Sequence, residues 1–146
     1  MASILTTAAV AAGIQARAGV GTGSVAATYT GTAALVLNDV IQMVKVPAGA
    51  VVREVILNTT DLDSSTGIVL AVGDGGDVDR FIKDSAIGQT GGTVRLGAGI
   101  VDNACNNYTY TAEDTVDVKV TTAATGTAAT SFTIGLTVFY DMNPLV

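Results

Sequence analysis

Two segments near the carboxyl end alternate apolar and polar residues with a period of two, and this pattern constrains the fold most. Val116, Val118 and Val120 share one face of the first segment, opposite Asp117 and Lys119. The second segment repeats the pattern along one face with Phe132, Ile134, Leu136 and Val138. Successive side chains of a strand point to opposite faces, so the pattern predicts antiparallel strands with one buried face.

Similar runs, rich in β-branched residues, recur along most of the chain. The predicted strands are residues 40–46, 50–58, 67–73, 93–101, 115–122 and 131–140, with one or two more within 25–37. Seven or eight short strands predict an all-β fold, in the form of a jelly-roll-like antiparallel β-sandwich. The sequence does not determine the strand order, so an immunoglobulin-like sandwich is an alternative.

The segments between these runs have the composition of turns and loops. Pro47-Ala48-Gly49 and Gly91-Gly92 supply glycine for positive φ, and aspartates supply local backbone hydrogen bonds. By the same reasoning, Asp61 and Asp63 are predicted to lie in a solvated loop.

The length of 146 residues fits one domain, but the first part of the chain differs from the rest. Residues 1–24 are rich in alanine and are predicted to form an extended N-terminal arm, with the β-sandwich in residues 25–146. A weak helix is expected only in this arm. Its apolar run precedes the first charge, Arg17, so we expect no signal peptide. No run reaches the roughly 18 apolar residues of a membrane span, and no membrane contact is expected.

The composition argues against several functional classes. The chain has no histidine and one cysteine, which rules out imidazole bases, disulfide frameworks and thiolate metal cages. Seven basic residues stand against thirteen acidic ones, for a net charge of −6. The basic residues stand singly and form no patch that would neutralise phosphates, so direct nucleic-acid binding is not expected. We predict a protein that is not an enzyme and that uses no cofactor.

One glycine-rich loop is a weak candidate for a calcium site. Asp74, Asp77 and Asp79 lie within six residues, and Ca²⁺ prefers oxygen ligands. Their spacing differs from that of the EF-hand loop. The alternative, which the spacing favours, is a tight turn that Asp77 and Asp79 cap while they pair with Arg80.

Two groups of residues are candidates for interfaces with partners. Tyr108 and Tyr110 would share one face of a strand, and tyrosine joins apolar area to a polar tip. Their alternative role is a rim of the domain's own core. The second group lies in the arm, and its larger apolar residues would dock on the domain or on a neighbour. These residues are Ile4, Leu5, Val10 and Ile14.

Three stretches combine strands and turns in a recognisable way: VPAGAVVREVIL at 46–57, VGDGGDVDRFI at 72–82 and FTIGLTVFY at 132–140. Together they resemble the small jelly-roll decoration, or cement, proteins of tailed-bacteriophage capsids, over roughly residues 37–140. The resemblance implies a non-enzymatic protein that is made in the host cytoplasm and lies on the capsid exterior, with the major capsid protein as its partner. It also implies a homotrimer at three-fold or quasi-three-fold positions, and it carries over no catalytic residue.

Two other functions are compatible with the same patterns. One is a receptor- or carbohydrate-binding β-sandwich, such as a fibre head or a lectin, in which the Asp74–Asp79 loop would bind Ca²⁺. The other is a different virion component, such as a tail or collar subunit. Copy number and position in the particle would separate these from a cement protein.

Overall fold

The computed structural model describes residues 21–142, with their side chains, and the backbone of residues 3–5. The strands are β1 Ser3–Leu5, β2 Gly21–Gly31, β3 Val40–Val46, β4 Ala50–Thr59, β5 Val69–Gly73, β6 Ile82–Ser85, β7 Gly92–Arg95, β8 Asp114–Thr122 and β9 Phe132–Met142. A turn of 3₁₀-helix, Ile87–Gln89, precedes β7. The described part of the chain is therefore all-β, as predicted.

The strands form two sheets, with orders β1-β3-β8-β5-β6 and β2-β9-β4-β7. From β2 to β9 the pairing is nested and antiparallel: β2 with β9, β3 with β8, β4 with β7, and β5 with β6. This is a long two-stranded ribbon rolled into a sandwich, and the pairs β4–β9 and β5–β8 close the roll. The order is that of a jelly roll, which confirms the predicted fold and excludes the immunoglobulin-like alternative.

The core lies between the sheets and is built from the alternating residues that the sequence pattern singled out. The inward faces of β8 and β9 are buried, as are those of β3, β4 and β5. Each fully buried valine, leucine or isoleucine contributes roughly 1.5–3 kcal/mol to folding. The inward residues of β8 and β9 are Val116, Val118, Val120, Phe132, Ile134, Leu136, Val138 and Tyr140.

Two strands differ from the sequence prediction. The strand predicted at 93–101 ends at Arg95, because the chain then turns through Gly97 and Gly99 with φ of 90° and 75°. The strand β6 was not predicted, since its central residues, Lys83 and Asp84, are exposed and charged.

The N-terminal segment also differs in part. Residues 3–5 form a parallel strand beside β3 where a weak helix was expected. An edge strand has unpaired backbone groups, and pairing with them favours an extended segment over a short helix. Residues 21–24, which the sequence assigned to the arm, belong to β2. Residues 6–20 lie outside the described residues, so the arm and its boundary stay predictions.

Candidate functional site

The Asp74 loop is a tight turn that folds back over the end of β5. The Asp74 carboxylate is 3% exposed. Its Oδ1 accepts hydrogen bonds from the N–H groups of Gly76, at 3.0 Å, and Asp77, at 2.9 Å. A Cβ on Gly73 would lie 2.0 Å from the Asp77 carbonyl oxygen, so the turn requires glycine there.

The charge of Asp74 is balanced by Arg80. The Arg80 Nε donates to Asp74 Oδ2 at 2.6 Å, and its Nη2 donates to Oδ1 at 3.2 Å. The Tyr110 hydroxyl donates to Oδ2 at 3.0 Å. Burial alone would raise the pKa of Asp74, but the hydrogen bonds from Arg80 and Tyr110 hold it below its usual value. The carboxylate is thus ionised and fully engaged within the chain.

The two tyrosines of the predicted interface belong to the same cluster. Residues 108–110 lie extended beside the start of β4, where the Val52 N–H donates to the Tyr108 carbonyl oxygen at 2.8 Å. The Arg80 guanidinium lies 3.9 Å from the centre of the Tyr108 ring, and the Tyr108 and Tyr110 rings meet edge to face at 5.0 Å. Tyr110 is 4% exposed, and its burial beside the Asp74 carboxylate raises its pKa. Tyr110 is therefore part of the chain's own interior, whereas Tyr108 is half-buried.

The other two aspartates of the calcium candidate pair with basic side chains. The Asp77 Oδ2 lies 4.0 Å from Arg80 Nη1, and the Asp79 Oδ2 lies 3.3 Å from Lys83 Nζ. Hydrogen bonding with Asp77 and with Lys83 lowers the pKa of Asp79. Within residues 21–142, no three aspartate, glutamate, cysteine or histidine side chains converge as a metal-ligand set. The positive charge that a calcium ion would supply at this loop comes from Arg80.

Asp63, which is 1% exposed, joins two loops, a role that its sequence surroundings did not indicate. Its carboxylate accepts hydrogen bonds from five backbone N–H groups, at 2.9–3.1 Å. The donors are Ser65, Gly67, Ile68, Thr125 and Gly126. Burial would raise the pKa of Asp63, but these donors lower it to about 2. The prediction of a solvated loop is wrong for Asp63, because the second loop lies more than sixty residues away in the sequence.

Asp117 is also a buried carboxylate, but unlike Asp63 it has an oxygen without a hydrogen-bond partner and its pKa is raised. It points away from the core on β8, is 8% exposed, and its Oδ1 has no hydrogen-bond partner. Burial raises the pKa of Asp117 to about 6, and the nearby carboxylates of Asp114 and Asp74 add to the shift. It borders a cavity of about 270 Å³. The lining residues are Val40, Asp74, Gly75, Val78, Asp117 and Lys119.

A second cavity, of about 380 Å³, lies beside the salt-bridged aspartates. Its walls are Asp77, Asp79, Arg80 and Lys83 together with the loop from Gly99 to Ala104. The loop presents Val101, whose side chain is fully exposed at 105%. The lining therefore combines paired charges with the exposed apolar side chain of Val101.

The remaining interface candidates lie mostly outside the described side chains. Ile4 and Leu5 pair through their backbone with Ile41 and Gln42 of β3. Val10 and Ile14 lie outside the described residues. The structure adds exposed apolar residues that the sequence analysis did not single out, on the loop between β2 and β3 and on the Val101 loop. They are Val36, Leu37 and Val101.

These observations define a class of protein: a small jelly-roll β-sandwich whose polar clusters hold loops in place. Solved structures similar to this chain come from phage capsids. A chain in the capsid of Ralstonia phage GP4 is 26% identical with a TM-score of 0.77, over 97% of this chain and 99% of that one. A chain in the capsid asymmetric unit of cyanophage Pam1 is 25% identical with a TM-score of 0.73, over 90% and 96%. No protein-family model matches the chain, and no curated protein does.

The likeness to these two capsid chains supports a structural role in a phage virion and indicates a virion location. Within the part of the chain that the structure describes, no helix is long and apolar enough to cross a membrane.

Proposed function

We propose that this chain is a cement protein that decorates and stabilises the outer surface of a tailed-phage capsid. Its partner is the major capsid protein, and its working form is a homotrimer. The observation that carries the proposal is the end-to-end likeness to a chain of the GP4 capsid, which covers 97% of this chain and 99% of the other. The match covers nearly the whole of both chains.

The surface of the sandwich suits attachment to a shell. Val36 and Leu37 are 56% and 50% exposed at one loop, and Val101 is fully exposed at another. Burying such a side chain contributes roughly 1.5–3 kcal/mol at most, which makes each contact weak on its own. Many copies bound to one lattice, each through more than one contact, give strong net attachment.

The charged side chains on the outer face of the four-stranded sheet favour the same reading. Arg53 pairs with Asp141 at 2.6 Å, and Arg95 pairs with Glu54 at 3.1 Å. These four charges neutralise one another, so the face presents little net charge to a partner. The arm, with Ile4, Leu5, Val10 and Ile14, is proposed as a further point of contact with the shell or with a neighbouring subunit.

The proposal is tested with particles that lack this protein, compared with the same particles after the purified protein is added back. We expect particles without it to release DNA at a lower temperature, and added protein to restore the original value. A matched variant, Val101→Asp, should fold normally because Val101 is exposed, and should restore less than an Ala86→Asp control in the exposed turn after β6. Equal heat resistance with and without the protein would refute a cementing role.

An image reconstruction of the native particle tests the location. Hundreds of copies at three-fold positions on the shell are expected. Density for this chain only in the tail or collar, or at the tip of a fibre, would overturn the cement proposal in favour of one of the alternatives.

A further inference from the structure

The strand β2 forms an unusual edge of the four-stranded sheet. It pairs with β9 along all eleven residues, Gly21–Gly31, without a register shift. Within residues 3–5 and 21–142, no strand pairs with its other side. The strand contains no charged residue and no proline. A long, regular edge of this kind is a template for pairing with another strand.

The other sheet edges are protected in the ways that natural proteins use. The edge strand β7 has four residues and carries Arg95, and β6 has four residues and carries Lys83 and Asp84. The β3 edge is partly covered by β1. Short strands and charged side chains discourage edge-to-edge pairing, so β2 is the edge that lacks this protection among the described residues.

The outward side chains of β2 are self-complementary. The exposed residues alternate along the strand as Thr22, Ser24, Ala26, Thr28 and Thr30. If two copies lie antiparallel with Ala26 opposite Ala26, Thr22 faces Thr30 and Ser24 faces Thr28 in both directions. Opposed threonine and serine side chains form favourable cross-strand pairs.

The inward side chains fit the same register. Gly23 then faces Tyr29, and Val25 faces Ala27, so each pair combines a larger residue with a smaller one. No two large side chains oppose each other. The strand is also free of charge in a protein of net charge −6, so this edge is a place where two copies approach with little repulsion.

We propose that β2 pairs antiparallel with β2 of a second copy, around a two-fold axis at Ala26. The contact joins two four-stranded sheets into one sheet of eight strands. It goes beyond the proposed cement function, and it does not depend on a trimer. If trimers form, each carries three β2 edges, and this contact joins neighbouring trimers.

Single cysteines test the register. Opposed Cα atoms in an antiparallel pair are about 4.5–5.5 Å apart, within the range that a disulfide spans. Ala26→Cys should therefore give a disulfide-linked dimer on a non-reducing gel. Ser24→Cys alone and Thr28→Cys alone should not cross-link. In this register each new cysteine lies four residues, about 13 Å along the strand, from the same cysteine of the second copy. A mixture of the Ser24→Cys and Thr28→Cys proteins should cross-link. Wild type is the control, since its Cys105 is buried.

Two results would refute this register. The first is that the Ala26→Cys protein stays uncross-linked under conditions that oxidise exposed thiols, since this would show that the two Ala26 positions do not meet. Equal cross-linking of all three single variants shows random collision.

Charge substitutions test the association itself. Ala26→Lys places two lysines opposite each other and should weaken the two-fold contact at least tenfold in sedimentation equilibrium. Ala26→Glu should do the same, and an equimolar mixture of the two should associate again. Thr93→Lys, which adds the same charge on exposed β7 at the other edge, is the control and should leave association unchanged.

Ser24, Ala26, Thr28 and Thr93 are all exposed, so every variant should fold and give the circular dichroism spectrum of wild type. Ala26→Lys that associates like wild type would overturn the proposal, as would wild type that shows no two-fold association. A trimer that persists in Ala26→Lys leaves the cement proposal intact, so the two proposals fail separately.

Discussion

Asp63 and Asp117 are both buried carboxylates, yet their pKa values shift in opposite directions. Asp63 is 1% exposed and its pKa falls to about 2, whereas Asp117 is 8% exposed and its pKa rises to about 6. Burial is similar at the two positions, so burial does not set the direction of the shift. The direction of the pKa shift is set by the number of hydrogen-bond donors that reach each carboxylate.

Their places in the fold explain the difference in donors. Asp63 lies where two loops meet, and loop N–H groups that are not part of a ladder are free to donate to it. Asp117 lies within β8, which pairs with β3 on one side and with β5 on the other. The N–H groups of a central strand are used by the sheet, so none is left for an outward carboxylate.

The largest effect is expected for Asp63→Asn. The amide has one acceptor oxygen where the carboxylate has two, so several backbone N–H groups lose their partner and both loops loosen. We expect the melting temperature to fall by roughly 5–10 °C in a circular dichroism melt. Asp61→Asn is the matched control, since Asp61 is exposed and accepts one N–H, and it should change the melting temperature little. Equal losses for the two variants would show that Asp63 is not the organising residue.

Arg80→Met tests a further buried carboxylate, Asp74, whose charge is balanced by a cation. The substitution leaves Asp74 with its remaining hydrogen bonds but without a counter-charge. After allowance for solvent screening, we expect a loss of about 2 kcal/mol in a urea titration. Lys83→Met removes the exposed salt bridge with Asp79 and should cost well under half as much. A smaller loss for Arg80→Met than for Lys83→Met would show that Asp74 does not need the cation.

Gly73→Ala tests the turn that forms one wall of the cavity beside Asp117. The new Cβ would lie 2.0 Å from the Asp77 carbonyl oxygen, so the turn must move. Overpacking of this kind costs about 1–2 kcal/mol. Gly75→Ala in the same turn meets nothing within 4 Å and should be close to neutral in the same urea titration. Equal stability of the two variants would show that the turn yields freely.

The strands were predictable where one face repeats a buried apolar residue. Strand β3 has the predicted bounds, Val40–Val46, and β8 begins one residue earlier than predicted. Strand β9 begins one residue later than predicted and ends two residues later. The short edge strand β6 was not predictable, because its middle is charged and its pairing with β5 comes from the topology. The predicted strand at 93–101 was too long, because valine and isoleucine around Gly97 and Gly99 resemble a strand in composition.

The candidate site was predictable only where its partners are close in sequence. Arg80 lies six residues after Asp74, and the sequence indicated a capped turn with an ion pair to Arg80. It assigned that pair to Asp77 and Asp79, whereas the close partner of Arg80 is Asp74 and Asp79 pairs with Lys83. The Tyr110 hydroxyl reaches Asp74 from thirty-six residues away, and Gly126 reaches Asp63 from sixty-three. No local pattern marks such pairs. The strand topology of the jelly roll brings these residues together. From the sequence alone, the aspartates and the tyrosines were therefore separate candidates.

Asp117→Asn gives the smallest effect, and it should be stabilising. The folded state raises the pKa of Asp117 from 3.8 to about 6, so it binds more protons than the unfolded state between these values. The raised pKa of Asp117 therefore contributes fully to the free energy of unfolding below pH 4, and this contribution is lost as the pH rises through 6. Two pKa units correspond to about 3 kcal/mol, which screening reduces to about 1 kcal/mol.

The asparagine carries no charge to desolvate, so the variant should match wild type near pH 4 and exceed it by about 1 kcal/mol at pH 7.5. The contribution of Asp63 to stability depends on pH in the opposite direction. Its lowered pKa stabilises the folded state above pH 4, and this stabilisation is lost as the pH falls toward 2. Urea titrations of both asparagine variants from pH 3 to 8 measure the two slopes. A constant difference between Asp117→Asn and wild type across this range would show that Asp117 does not titrate in the folded state.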